Sequence, residues 1–177
     1  MHPPNARFLL EFLLPQFKSE HAVTAKIFRA VPPEGRDYRA SPKAMSAFEL
    51  VRHIAICDLW FLDAIVNGVF DEGTAPPAEL TACQALADWY EENVAARFVQ
   101  MEQLTDADLA RKIDYIGLRN DPAVAYLNIA IRHMVHHRGQ LSAYLRGMGA
   151  RVPAIYVESG DEPYPDERGG GAPPPAF

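Results

Sequence analysis

The stretch DPAVAYLNIAIRHMVHHRGQLSAYLRG, residues 121–147, decides the fold. Apolar and small residues recur in it every three or four positions, the period of a helix. Asp121 followed by Pro122 has the form of an N-cap with proline at the first helical position, and Gly147 supplies a stop. The spacing therefore predicts a helix over about 122–146. Its inward stripe reads Tyr126, Ala130, His133, His137, Gln140 or Leu141, and Tyr144. Two imidazoles thus occupy a row that calls for hydrocarbon. Left without partners, each would cost on the order of 1–3 kcal/mol to bury. Being four positions apart they share a helix face, and one divalent metal would satisfy both.

Outward from that helix, three more segments carry the same period. The first runs from about Asn5 to Val31 with Leu10, Leu13, Phe17, Ala25 and Phe28 on one face, and Pro15 is expected to kink it or limit its first turns. The second opens with the capping-box sequence Ser46-Ala47-Phe48-Glu49 and ends at Gly68. The third opens with a similar pattern, Thr81-Ala82-Cys83-Gln84, presents Leu86, Trp89, Tyr90, Val94, Phe98 and Met101, and stops near Leu104. The connector TDADLARKIDYIGLRN, residues 105–120, has room for a short strand or turn. Four long helices and no internal repeat predict an all-α four-helix bundle over residues 1–163. Residues 164–177 are rich in Pro, Gly and acid, lack the side chains for a core, and are expected to form a mobile tail, whose PPP reads as solvated terminus.

Composition narrows the function. A net charge of -6 with no basic stripe argues against nucleic acid as the main partner. No apolar run is long enough for a membrane span, and the start of the chain lacks the basic region of a signal peptide. Two cysteines, Cys57 and Cys83, make no disulfide framework and no CxxC pair, so a reducing, cytoplasmic setting is the expectation.

A third ligand for a metal held by His133 and His137 should come from another helix. His53 lies midway along the second, on a row with Glu49 or Leu50, Cys57, Trp60 and Ala64 that also looks inward. Three imidazoles with an open fourth position are the pattern of a catalytic zinc site, since structural sites usually close all four positions with protein ligands. His136, three after His133, could geometrically stand in for His137.

The combination ELVRHIAICDLWFLDAI (49–65), HMVHHRGQLSAYLRGMG (133–149) and VPAIYVESGDEP (152–163) resembles the DinB/YfiT-like family of four-helix metal-binding proteins, over roughly residues 5–163. The resemblance implies that His53, His133 and His137 form the metal triad, with His136 as a flanking group. It also implies one divalent ion per chain (zinc, nickel or iron), frequent homodimerisation, and kinship with thiol-dependent S-transferases and maleylpyruvate isomerase-type enzymes. It implies neither DNA binding nor polymerase activity.

Around the triad several residues admit two readings. Cys57, one turn after His53, could close the site as a fourth ligand or be a small core residue. Glu49 could orient His53, act as an acid or base, or serve only in the capping box. Arg138 and Gln140 could hold an anionic substrate or a water, or tie the last helix to its neighbours. Trp60, Trp89 and Tyr126 read as core before pocket, and His21 as structural. The expected function is a metal-dependent hydrolase, or a transferase activating a low-molecular-weight thiol, on a small molecule. A metal-binding protein that acts by association without turnover is the alternative.

Overall fold

The computed structural model describes residues 1–163, so the tail at 164–177 lies outside the described residues. Four long helices make the bundle: α1 (Pro3–Arg29), α2 (Ala47–Asn67), α3 (Cys83–Gln103) and α5 (Ala125–Gly147). Between α3 and α5 come the short α4 (Asp106–Ala110) and an antiparallel hairpin of β1 (Lys112–Tyr115) and β2 (Arg119–Pro122). Both α1 and α2 pack mainly on α3 and α5, which sets α1 opposite α2 and α3 opposite α5. Consecutive long helices thus include a diagonal pair, and the chain needs the long connection 30–46, with a 3-10 turn at Pro33–Gly35, to cross from α1 to α2. No described helix is long and apolar enough to cross a membrane.

The core follows the predicted apolar rows. Leu10, Phe17, Ala25 and Phe28 of α1 meet Leu86, Tyr90, Val94 and Phe98 of α3 and the inner faces of α2 and α5. Ser46 and Glu49 form the predicted capping box, and α2 ends at Gly68 with φ 82°. That left-handed turn favours glycine, and a Cβ there would run into the guanidinium of Arg111, which donates to the last α2 carbonyls at Ile65 and Val66.

Four local expectations are corrected. Pro15 does not limit the first turns of α1, which is helical from Pro3 through Pro15 to Arg29. The proline ring lies on the exposed side, and burial of Leu10, Leu14 and Phe17 around it offsets a penalty of about 3 kcal/mol. Thr81 does not cap α3: Ala82 is the N-cap, while the Gln84 amide donates to the Val31 carbonyl across the bundle. Pro122 does not start α5, because it pairs with Lys112 in the hairpin and the helix begins at Ala125. Finally, the centre of the α5 buried row is Ala130, Met134, Arg138 and Leu141, and both histidines sit half-buried at its border.

Candidate metal centre

That shift by one position along α5 creates the site. Fully inside the core the imidazoles would be sealed off; at the border they meet His53 of α2 in the groove between the two helices. His133 Nε2 lies 3.1 Å and His137 Nε2 3.2 Å from His53 Nε2. One ligand nitrogen from each ring lies within 4.8 Å of the other two. Nitrogens about 2.0–2.1 Å from a tetrahedral zinc ion stand ~3.3 Å apart, so the spacing fits a shared ion. A hydrogen bond joins one N–H to one lone pair, which explains one such contact; here two nitrogens crowd the same Nε2.

The outward-turned nitrogens have separate neighbours. His137 Nδ1 is 2.8 Å from the Gln140 side-chain oxygen, which can only accept, so that ring carries its hydrogen on Nδ1 and its lone pair on Nε2. His53 Nδ1 is 3.6 Å from the Cys57 sulfur. His133 Nδ1 is 3.9 Å from Asp58 Oδ1, and both atoms are buried without a hydrogen-bond partner. The gap is too long for a hydrogen bond, yet two orphaned complementary atoms face each other, and about 1 Å of side-chain rotation joins them. A ligating histidine ordinarily donates its other N–H to a carboxylate or carbonyl, which fixes tautomer and ring orientation. These residues fit a metal by that criterion.

Asp58 and Tyr90 are residues that the sequence reading missed. Asp58 is fully buried, and its Oδ2 accepts the hydroxyl hydrogen of the equally buried Tyr90 at 2.5 Å. The available signal was a carboxylate inside the apolar run ICDLWFL, where an unpartnered charge is not tolerated.

Charge states follow from burial. Burial, then the proximity of the other imidazoles, lowers the pKa of His53. Burial also lowers His137, against the pull of Gln140. Both rings are thereby held neutral, the form that ligates. Burial pushes His133 down as well, but Asp58 and Cys57 together outweigh it and lift it to about 9, so an ion bound there has to displace a proton from this ring. Asp58 is itself raised by complete burial, with His133 and Tyr90 pulling the other way.

The remaining candidates scatter. Cys57 sits nearer Nδ1 of His53 than the converging Nε2, from which it is 3.9 Å. Glu49 is exposed and accepts from Arg39 and from the Ser46 amide, interactions that hold its carboxyl below the usual range. His136 contacts the Gln140 amide nitrogen at 3.2 Å, outside the trio. Arg138 is buried and reaches away to α1 and the C-terminal segment, pairing with Glu20 at 2.5 Å and Tyr156 at 2.6 Å. Tyr126 is core, its hydroxyl donating to the Ile113 carbonyl, and Trp60 packs in an aromatic group with Phe61, Phe70 and Tyr115. Trp89 is half-buried against the core.

Known proteins share this architecture. The sequence profile of the DinB family matches residues 6–168. The uncharacterised YjoA protein of Bacillus subtilis (strain 168) is 32% identical over 154 residues, covering 82% of this chain and 95% of its own. The crystal structure of that DinB-like protein superposes with a TM-score of 0.68 at 29% identity over 81% of this chain and 96% of its own. A DinB-like protein from Bacillus cereus ATCC 10987 gives 0.71 at 26% identity, over 83% and 97%.

Proposed function

The chain belongs to the DinB family, and from that premise we propose that His53, His133 and His137 hold one divalent metal ion in an enzyme acting on a small molecule. The observation that carries the reading is the division of the imidazole nitrogens: three Nε2 converge, while each Nδ1 faces its own neighbour, Gln140, Asp58 or Cys57. Three imidazoles suit zinc, nickel or iron, with availability deciding among them. Such an ion supplies Lewis-acid chemistry, polarising a substrate oxygen and acidifying a water or thiol that ligates it.

This chain's residues do the rest. Gln140 and Asp58 orient two of the rings, and burial keeps His53 and His137 neutral. The position of Cys57 toward Nδ1 of His53 favours an open fourth coordination place, hence turnover, over a closed association module. Between hydrolysis and transfer of a thiol, transfer is favoured. Hydrolysis calls for a general acid or base close to the ion, and Glu49, the acid that the sequence offered, is occupied by Arg39 and Ser46. A substrate thiol brings its own nucleophile.

The test is elemental mass spectrometry on full-length protein purified without tag or chelator, beside His53→Ala and His133→Ala. About one equivalent of metal, lost in both variants, is the expected result, and thiol-transfer and hydrolysis assays on the loaded protein follow from it. Wild-type protein that is metal-free and refuses added zinc and nickel would sink the proposal.

A further inference from the structure

Beside the imidazoles a cavity of about 500 Å³ opens between the connection that precedes α2, the start of α2 and the later turns of α5. That is the size of a small-molecule site. His137 and Gln140 are part of its lining. The rings of Tyr38 and Tyr144 meet edge to face at 5.4 Å in one wall, and Leu50, buried, gives an apolar floor. No carboxylate lines the cavity, and its one lining cation is Lys43, which is exposed. The neighbouring charges are taken: Arg39 pairs with Glu49 and Arg36 with Asp37, which leaves Lys43 without an ion pair among the described residues.

An apolar trough whose lining holds a single exposed, unpaired cation and a candidate metal-ligand ring has a definite ligand chemistry. We infer that this cavity binds a small organic carboxylate with an aromatic or alkyl body, the body lying between Tyr38, Tyr144 and Leu50, the carboxylate at Lys43, and the opposite end at His137. The placing of that opposite end rests on His137 being a metal ligand; the binding itself uses the trough and Lys43 alone. Burial of the body supplies most of the affinity, and the exposed ammonium adds selectivity for the anion. A neutral amide of the same shape keeps the first contribution and loses the second.

Calorimetric titration of phenylacetate and its neutral amide, phenylacetamide, into full-length protein stripped of metal tests this. Phenylacetate is expected to bind about threefold more tightly than the amide, as one exposed ion pair warrants. Lys43→Gln should erase that difference. Ala143→Trp, on an exposed part of the cavity wall, should abolish binding of both while leaving the melting temperature in place. The inference is overturned if stripped protein binds neither compound, or if phenylacetate binds only once metal is restored and equally well in Ala143→Trp, because the carboxylate is then merely ligating the ion. The two readings separate cleanly. Protein that refuses metal yet binds phenylacetate with this dependence refutes the centre and supports the cavity; protein that takes up metal and binds no carboxylate does the reverse.

Discussion

Tyr90 of α3 donates its hydroxyl hydrogen to Oδ2 of Asp58 of α2 at 2.5 Å, with both side chains fully buried. The bond aims the other carboxylate oxygen at His133 Nδ1, 3.9 Å away. Asp58→Asn keeps the shape and removes the charge, so metal affinity should fall about 10- to 100-fold, as for other partners of ligating histidines. Competition with a chromophoric chelator measures it, and an unchanged affinity would remove Asp58 from the centre. Tyr90→Phe leaves Oδ2 buried without its donor and should cost about 1–3 kcal/mol in urea unfolding of the metal-free protein.

Gln140 and His136 provide a graded comparison. Gln140 accepts from His137 Nδ1 but is exposed, so water can replace it. Gln140→Leu should weaken metal binding by less than tenfold. His136 bonds to the Gln140 side chain and packs its ring edge to face on His137 at 4.8 Å without joining the converging nitrogens, and His136→Ala should keep a full equivalent of metal. Metal loss in His136→Ala comparable to that in His137→Ala would instead make His136 the ligand.

The three-histidine cluster was legible in the sequence because His133 and His137 share a helix face by their spacing alone, and His53 lay on the inward side of its own helix. What was not legible depends on partners from distant helices. Asp58 becomes tolerable in the core through Tyr90, 32 positions along the chain. Arg138 enters the buried row of α5 because Glu20 of α1 meets it, and that displaces the histidines to the border where a groove can reach them. Gln84, which local pattern assigned to a cap, is drawn off by Val31, and Pro122 by its hairpin partner Lys112. Local chemistry proposes; the packing of α1 and the hairpin disposes.

Arg138 should behave as a fold residue. Its side chain is 2% exposed and that of Glu20 18%, and it also reaches Tyr156 and Thr24. Removing one partner of a buried pair leaves the other charge poorly compensated, so Arg138→Ala should destabilise the protein by about 3–5 kcal/mol. Metal content of the folded fraction should be unchanged. Loss of metal with wild-type stability would place Arg138 at the centre and not in the scaffold.

His21 gives the pH dependence. The residue is 6% exposed, its ring centroid lies 4.5 Å from that of Tyr90 and 5.6 Å from that of Phe98, and its Nδ1 has no hydrogen-bond partner among the described residues. Burial lowers its pKa from 6.5 to about 4. The unfolded chain therefore takes up the proton first as pH falls: the contribution is intact above about pH 6.5 and is lost progressively toward pH 4. A displacement of that size corresponds to ~3 kcal/mol when complete, of which about 2–3 kcal/mol is gone by pH ~4.5. His21→Leu lacks this term. In urea unfolding of metal-free protein at pH 7.5 and 4.5, its stability relative to wild type should rise by that amount on acidification, whatever the substitution costs at pH 7.5. Parallel pH profiles for the two proteins would show that His21 carries a proton in the folded state as readily as in the unfolded one.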